Sequence, residues 1–207
     1  MGKLNVYTVV VGFLETNCYL ATDDSGREAV VVDPGADAGR ILKHIEKMKL
    51  HPNYILLTHG HHDHTGGVSD TQRALRVPVL LHEKEADFIR VPAAGRARFE
   101  QGAPAAKPYL TLRDGDEIAF GAARLKTLFT PGHTPGGVCF LDAASGIALT
   151  GDTLFNDGVG RTDFPGGDAR ALDNSIRTKL LVLPDETAIY PGHGPSSTIG
   201  RERSCFE

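Results

Sequence analysis

Apolar residues gather early in the chain into short runs, at Leu4 to Val11, Asn17 to Thr22 and Glu28 to Asp33. The last two are joined by the turn-forming Asp23-Asp24-Ser25-Gly26. Runs of this length between turn residues predict strands, here an opening antiparallel unit. After Asp33-Pro34-Gly35 the period changes. Ile41, Leu42, Ile45 and Met48 recur at helical spacing, which predicts an amphipathic helix over Asp37 to Lys49 with Asp37 or a neighbour as its cap.

The pattern continues with a strand at Asn53 to Thr58, a polar His-rich loop and a helix running to about Leu75. A strand at Val79 to Leu81 and a charged helix at Glu83 to Arg90 follow. Val91 to Pro108 has no period and several Gly and Pro residues, as in segments used for binding or lids, and is expected to border the active-site mouth. Strands are predicted at Glu117 to Phe120, Arg124 to Thr130, Val138 to Asp142, Ile147 to Thr150 and Thr187 to Tyr190. A helix over Ala169 to Leu183 would bury Leu172, Ile176 and Leu180. Two β-rich halves, each with helices, predict an α/β fold with two sheets packed face to face and helices outside.

Composition adds limits. At 207 residues, 41% apolar and 23% charged, one domain over 1–207 with a sizeable core is expected. A net charge of −4 without a basic block gives no footprint for nucleic acid. No apolar run reaches membrane-spanning length and the first residues lack a secretory h-region, so the expected location is cytoplasmic, with no membrane partner. Val6 stands where a myristoylation signal at Gly2 would need Ser or Thr. Cys18 and Cys139 sit in apolar runs and read as buried thiols, and Cys205 reads as an exposed one. Nothing in the sequence sets an oligomeric state.

The segment Thr58-His59-Gly60-His61-His62-Asp63-His64 changes the picture most, placing four imidazoles and a carboxylate directly after an apolar strand. A surface loop gains little stability from such neighbours, whereas imidazole and carboxylate are the ligands of zinc, iron and manganese. Three further ligand-type residues share that setting: His133 in Pro-Gly-His-Thr-Pro-Gly, Asp152 in Thr-Gly-Asp, and His193 in Pro-Gly-His-Gly. All four segments leave the ends of predicted strands, and their Gly and Pro residues set tight turns that aim side chains inward. Convergence at one edge of the two-sheet body is the expectation.

On these residues the chain resembles the metallo-β-lactamase superfamily, whose T-H-x-H-x-D-H motif it matches at every specified position. The resemblance implies a four-layer αβ/βα sandwich. It implies two divalent metal ions, zinc foremost with iron or manganese as alternatives. One would be held by His59, His61 and His133, the other by Asp63, His64 and His193, with Asp152 bridging. Asp63 is also the candidate for orienting the metal-bound water. His62, the unspecified motif position, reads as solvent-facing or as a hydrogen-bond donor behind the ligands rather than a ligand, and His44, His51 and His82 as surface or capping residues. Asp33 resembles the superfamily's structural acid near the site, and a turn-stabilising role fits it equally.

Two metals roughly 3.5 to 4 Å apart share a water and lower its pKa from about 15.7 toward about 7, so hydroxide attack needs no protein nucleophile. The segment Gly151 to Phe155, followed by Gly158 to Phe164, is similar to the glyoxalase II (hydroxyacylglutathione hydrolase) branch, and to its short single-domain members most of all. That implies a small-molecule thioester substrate. A thiolate of pKa near about 8.5 departs without a strong general acid. Arg161 is the candidate contact for an anionic substrate, and pairing with Asp163 or Asp168 is its structural alternative. Two-domain members add a C-terminal helical domain that helps hold glutathione. This sequence ends shortly after His193, which leaves the carrier thiol open. The alternative function is that of a persulfide dioxygenase with a single non-haem iron held by His59, His133 and Asp152. A non-catalytic metal-binding regulator is a weaker one, which a missing ligand would favour, and all seven are present.

Overall fold

A computed structural model of the chain describes residues 3–89 and 109–206. The segment Val91 to Pro108, expected to form a lid, lies outside the described residues. The first sheet has the order β1-β2-β3-β4-β5-β6. β1 (Asn5–Val11), β2 (Thr16–Thr22) and β3 (Glu28–Val32) pair antiparallel, as expected. α1 (Ala38–Met48) then crosses to β4 (His51–Leu56), which lies parallel to β3. α2 (His62–Thr65) and α3 (Val68–Leu75) lead to β5 (Val79–His82), α4 (Glu83–Ile89) follows it, and β6 (Tyr109–Leu112) closes the sheet with parallel pairing.

The second sheet contains β7 (Glu117–Phe120), β8 (Ala123–Phe129), β9 (Val138–Asp142) and β10 (Ile147–Gly151). A small hairpin of β11 (Leu154–Phe155) and β12 (Gly158–Val159) follows, then α5 (Ala169–Ser175), β13 (Ala188–Pro191), β14 (Ser197–Thr198) and α6 (Ile199–Arg203). Its order is β14-β13-β10-β9-β8-β7, with β10 and β13 parallel and the other pairs antiparallel.

Strand alternation divides the core into three layers of contact. In β2, Tyr19 and Ala21 face the other sheet while Cys18 and Leu20 face α1. In β9, Val138 and Phe140 point between the sheets while Cys139 and Leu141 face α5. Both strands are buried on both faces, hence their near-continuous apolar runs. Ile41 and Ile45 press α1 onto the first sheet, and Leu172, Ile176 and Leu180 press the second helical layer onto the other. Burial of each such side chain contributes about 1.5 to 3 kcal/mol. The result is the expected four-layer αβ/βα sandwich.

Local departures have local causes. Asp37 occupies the N-cap position of α1 with a left-handed backbone, but its carboxylate makes no cap and instead accepts the Gly12 N–H at 2.9 Å, tying the β1–β2 turn to the helix. Asp168 does cap α5, accepting from Arg170 and Ala171 N–H. The helix expected to reach Leu183 ends in a wide π-turn over Ile176–Leu180. β4 begins at His51 and includes Pro52, whose missing N–H sits beside a register shift opposite Ala29 and Val30. Of its two readings His82 meets the capping one, its Nδ1 accepting the Lys84 N–H at 3.3 Å at the start of α4, but it is not on the surface: it is 4% exposed and stacks on Phe129 with ring centroids 4.2 Å apart. Cys18 and Cys139 are buried and Cys205 is exposed. Among the described residues no helix is long and apolar enough to cross a membrane.

Candidate metal centre

The ends of β4, β8, β10 and β13 meet at one edge of the sandwich, and each hands on to a segment carrying predicted ligands. His59 and His61 follow β4, Asp63 and His64 lie on α2, His133 follows β8, Asp152 follows β10 and His193 follows β13. All seven side chains come together. Donor atoms of His59, His61 and His133 lie within 4.8 Å of one another, and so do those of Asp63, His64 and His193. Asp152 stands between the groups, with Oδ2 3.5 Å from His133 Nε2 and Oδ1 3.3 Å from His64 Nε2. A glycine is needed beside it, because a Cβ at Gly192 would lie 2.1 Å from Asp152 Oδ1 and 2.6 Å from His64 Cε1.

Protein acceptors fix the imidazole tautomers. His64 Nδ1 donates to Asp33 Oδ2 at 2.9 Å, His133 Nδ1 to the Arg161 carbonyl at 2.7 Å, and His193 Nδ1 to the Leu14 carbonyl at 3.0 Å. His59 Nδ1 donates to the Thr58 hydroxyl at 3.1 Å, and that hydroxyl donates to Asp33 Oδ2 at 2.5 Å. With Nδ1 protonated in each ring, Nε2 carries the lone pair toward the shared space, which is how ligand histidines are oriented. Asp33, 1% exposed, thereby orients one histidine from each group. Contacts of both kinds expected of it are present, since its carboxylate meets His64 and Thr58 while its carbonyl accepts the Gly35 N–H at 2.8 Å in the turn after β3.

The electrostatics favour bound cations. Burial, reinforced by neighbouring imidazoles, pushes His59 well below the usual histidine range and His61 down to about 4, so both are neutral donors at pH 7. Burial opposes ionisation of Asp63 and Asp152, yet His193 and His64 at Asp63, and His64 foremost at Asp152, outweigh it and hold both carboxyls low. His64 moves the other way. Burial alone would strip its proton, but Asp33 and Asp152 outweigh that and raise it well above the usual range. The same negative field that holds a proton on His64 would hold a metal cation in its place.

The donor set fits metal ions on geometry too. Among the described residues, buried Nε2 of His59, Nε2 of His133 and Oδ1 of Asp152 have no hydrogen-bond partner, a deficit of about 1 to 3 kcal/mol per atom if left unfilled. In the other group, His64 Nε2 lies 3.4 Å from His193 Nε2 and 3.5 Å from Asp63 Oδ2, and His193 Nε2 lies 3.2 Å from Asp63 Oδ2. A tetrahedral ion with bonds of about 2.0 to 2.1 Å separates its donors by about 3.4 Å.

Comparison with known proteins agrees with this arrangement. The model of the metallo-β-lactamase superfamily matches residues 11–193. The chain belongs to the metallo-β-lactamase superfamily. Members are generally hydrolases and bind divalent metals. The chain is 37% identical over 205 residues to a hydroxyacylglutathione hydrolase, GloC, of Haemophilus influenzae, covering 97% of this chain and 95% of that protein. Among solved structures, the B3 metallo-β-lactamase BLEG-1 superposes with a TM-score of 0.85 at 36% identity, covering 97% of each chain. TTHA1623, solved in a di-iron-bound form, superposes at 0.82 with 37% identity, covering 96% of this chain and 97% of that one.

In this superfamily member the centre opens into a cavity of about 890 Å³. Leu14, Phe155, Val159, Phe164 and Pro165 form an apolar mouth around His61, Asp152 and His193. Arg161 also lines it, but its guanidinium is engaged by Asp163 through Nε at 2.7 Å and Nη2 at 2.6 Å, and lies 4.0 Å from the Phe164 ring centroid. Of the two partners offered by the sequence, Asp163 is the one used. His62 is exposed at the cavity rim, as expected of the unspecified position.

Several contributors escaped the sequence reading. Asn17 Nδ2 donates to the carbonyls of Pro191 and Gly194 at 3.0 and 2.8 Å, and the Tyr19 hydroxyl donates to Pro191 at 2.5 Å, so β2 clamps the His193 turn. The Thr16 hydroxyl donates to Asp63 Oδ2 at 3.3 Å. These contacts link residues more than forty positions apart, beyond the reach of any local pattern.

Proposed function

We propose that the protein is a binuclear metal-dependent hydrolase of small-molecule thioesters, similar in activity to hydroxyacylglutathione hydrolases. The observation that carries the reading is the pair of three-residue donor groups with Asp152 facing both. His59, His61 and His133 would hold one ion, Asp63, His64 and His193 the other, and Asp152 would contact the two. This nitrogen and oxygen set suits zinc first, with iron or manganese also compatible. Bound there, divalent ions supply a water of lowered pKa and Lewis-acid polarisation of the substrate carbonyl.

The chain's own residues set the rest. Asp63 stays ionised, braced by Thr16 and His193, and would orient a metal-bound water. Leu14, Phe155 and Phe164 line the mouth and would give the acyl group an apolar surface to pack on. No strong acid is needed at the leaving group, because a thiolate of pKa near about 8.5 departs unaided. Similarity to the Haemophilus hydroxyacylglutathione hydrolase across nearly the whole chain supports the thioester class.

The test is thiol release from S-lactoylglutathione under nitrogen by protein carrying about two equivalents of metal. Oxygen-independent turnover is the expected result. No thioester hydrolysis together with oxygen uptake driven by glutathione persulfide would overturn the proposal in favour of a dioxygenase.

A further inference from the structure

We propose that Glu85 is the positioning residue that sets the spacing between the His59–His61 loop and the His133 loop, and so governs the first of the two metal sites. The inference rests on the metal-centre reading above.

Glu85 lies in the first turn of α4 and is 1% exposed. Its Oε1 accepts the Gly60 N–H at 2.8 Å, from the residue between His59 and His61. Its Oε2 accepts the Thr134 hydroxyl at 3.0 Å and the Gly136 N–H at 2.8 Å, in the turn that carries His133. One carboxylate thus joins loops that leave different sheets, β4 in the first and β8 in the second. The fit is close. A Cβ at Gly136 would lie 2.2 Å from the Glu85 amide nitrogen and 2.5 Å from Oε2.

A simple helix-start role does not account for this geometry, since all three donors come from outside α4. An amide cannot replace the carboxylate, because three donors converge on two oxygens and a Gln would turn an N–H toward one of them. The distance from His133 to His59 and His61 is therefore set by a side chain whose hydrogen bonds go to Gly60, Thr134 and Gly136 rather than to the imidazoles. Asp33, the other buried carboxylate here, meets His64 directly and His59 through Thr58 and so serves both groups, whereas among the described residues the Glu85 side-chain hydrogen bonds fall on the loops of the first group.

Cobalt(II) titration of metal-free protein, followed by visible absorption, separates these roles. The variants are Glu85→Gln and Glu85→Asp, each also made in a His193→Ala background, where the first site is the one retained. Glu85→Gln is expected to weaken that retained equivalent about 10- to 100-fold and to alter its absorption bands. In the wild-type background the other equivalent should stay unchanged and kcat should fall more than KM changes. Leu141→Ala, a core variant that lowers stability away from the site, should preserve both equivalents and both spectra. Wild-type affinity and spectra in both Glu85 variants would overturn the proposal, as would equal weakening of both equivalents. A wild-type protein that takes up no cobalt would remove the metal-centre reading itself, a result visible before any variant is compared.

Discussion

The carboxylate of Asp33 accepts the Nδ1 proton of His64 at 2.9 Å, deep in the protein, where both side chains are almost wholly buried. The same oxygen holds the Thr58 hydroxyl that in turn accepts from His59. Asp33→Asn would place an amide where a carboxylate now answers three donors, His64 Nδ1–H and the Thr58 hydroxyl at Oδ2 and the Thr58 N–H at Oδ1, so an NH2 must face at least one of them and the hold on the rings loosens. Loss of about 10- to 100-fold in metal affinity is expected, measured by competition with a chromophoric chelator. Unchanged affinity for both equivalents would show that the tautomers are set elsewhere.

Asp152 and His193 should behave differently. Asp152 faces both donor groups and His193 only one. Asp152→Ala is expected to weaken both ions and to cut turnover more than about a hundredfold, beyond the usual effect of an indirect partner. His193→Ala should leave one equivalent bound. Elemental analysis after dialysis checks both, and two retained equivalents with near-normal turnover in Asp152→Ala would contradict the shared position.

How much of this was legible in the sequence depends on range. The candidate ligands stood out because each lies past the end of a strand whose apolar run is local, and α1 because its stripe of Ile41, Ile45 and Met48 is local. β6 was not found: four residues emerging from a stretch without period give no signal until β5 lies beside them. Glu85 read as one more charge on a polar helix, since its partners are 25, 49 and 51 positions away. His82 caps α4 as read, but its burial escaped for a similar reason. Its position before a charged helix suggests a surface, and only the packing of β8 supplies the Phe129 ring that buries it.

That burial has a pH consequence. Desolvation, with Lys84 adding to it, lowers the His82 pKa, and Nδ1 accepts the Lys84 N–H at 3.3 Å, which only the neutral ring can do. A histidine with a depressed folded pKa takes its proton more readily when unfolded. Its stabilising contribution is therefore complete above an unfolded value of about 6.5 and lost as pH falls through the folded value. Urea midpoints measured from pH 8 to pH 5 at fixed metal loading should fall below about pH 6.5, and less steeply in His82→Phe. Parallel curves for the two proteins would show that His82 takes no part.

Arg161 offers the sharpest separation between side chain and backbone. Its carbonyl orients His133, a contact that any residue can make, while its guanidinium is held by Asp163 and packed on Phe164 at the apolar mouth. A cation already neutralised by a neighbouring carboxylate attracts a substrate anion weakly, and salt screens what remains. Arg161→Ala should accordingly keep both metals and an unchanged kcat. KM for S-lactoylglutathione should rise less than about fivefold, the range of an exposed, screened charge contact. Asp163→Ala, which frees the guanidinium, should lower KM for the same anionic thioester and leave a neutral N-acetylcysteamine thioester unaffected. If Arg161→Ala instead raised KM more than about a hundredfold for the glutathione thioester alone, the pair with Asp163 must open on binding and Arg161 would be the anion receptor, because only a direct, desolvated contact loses that much.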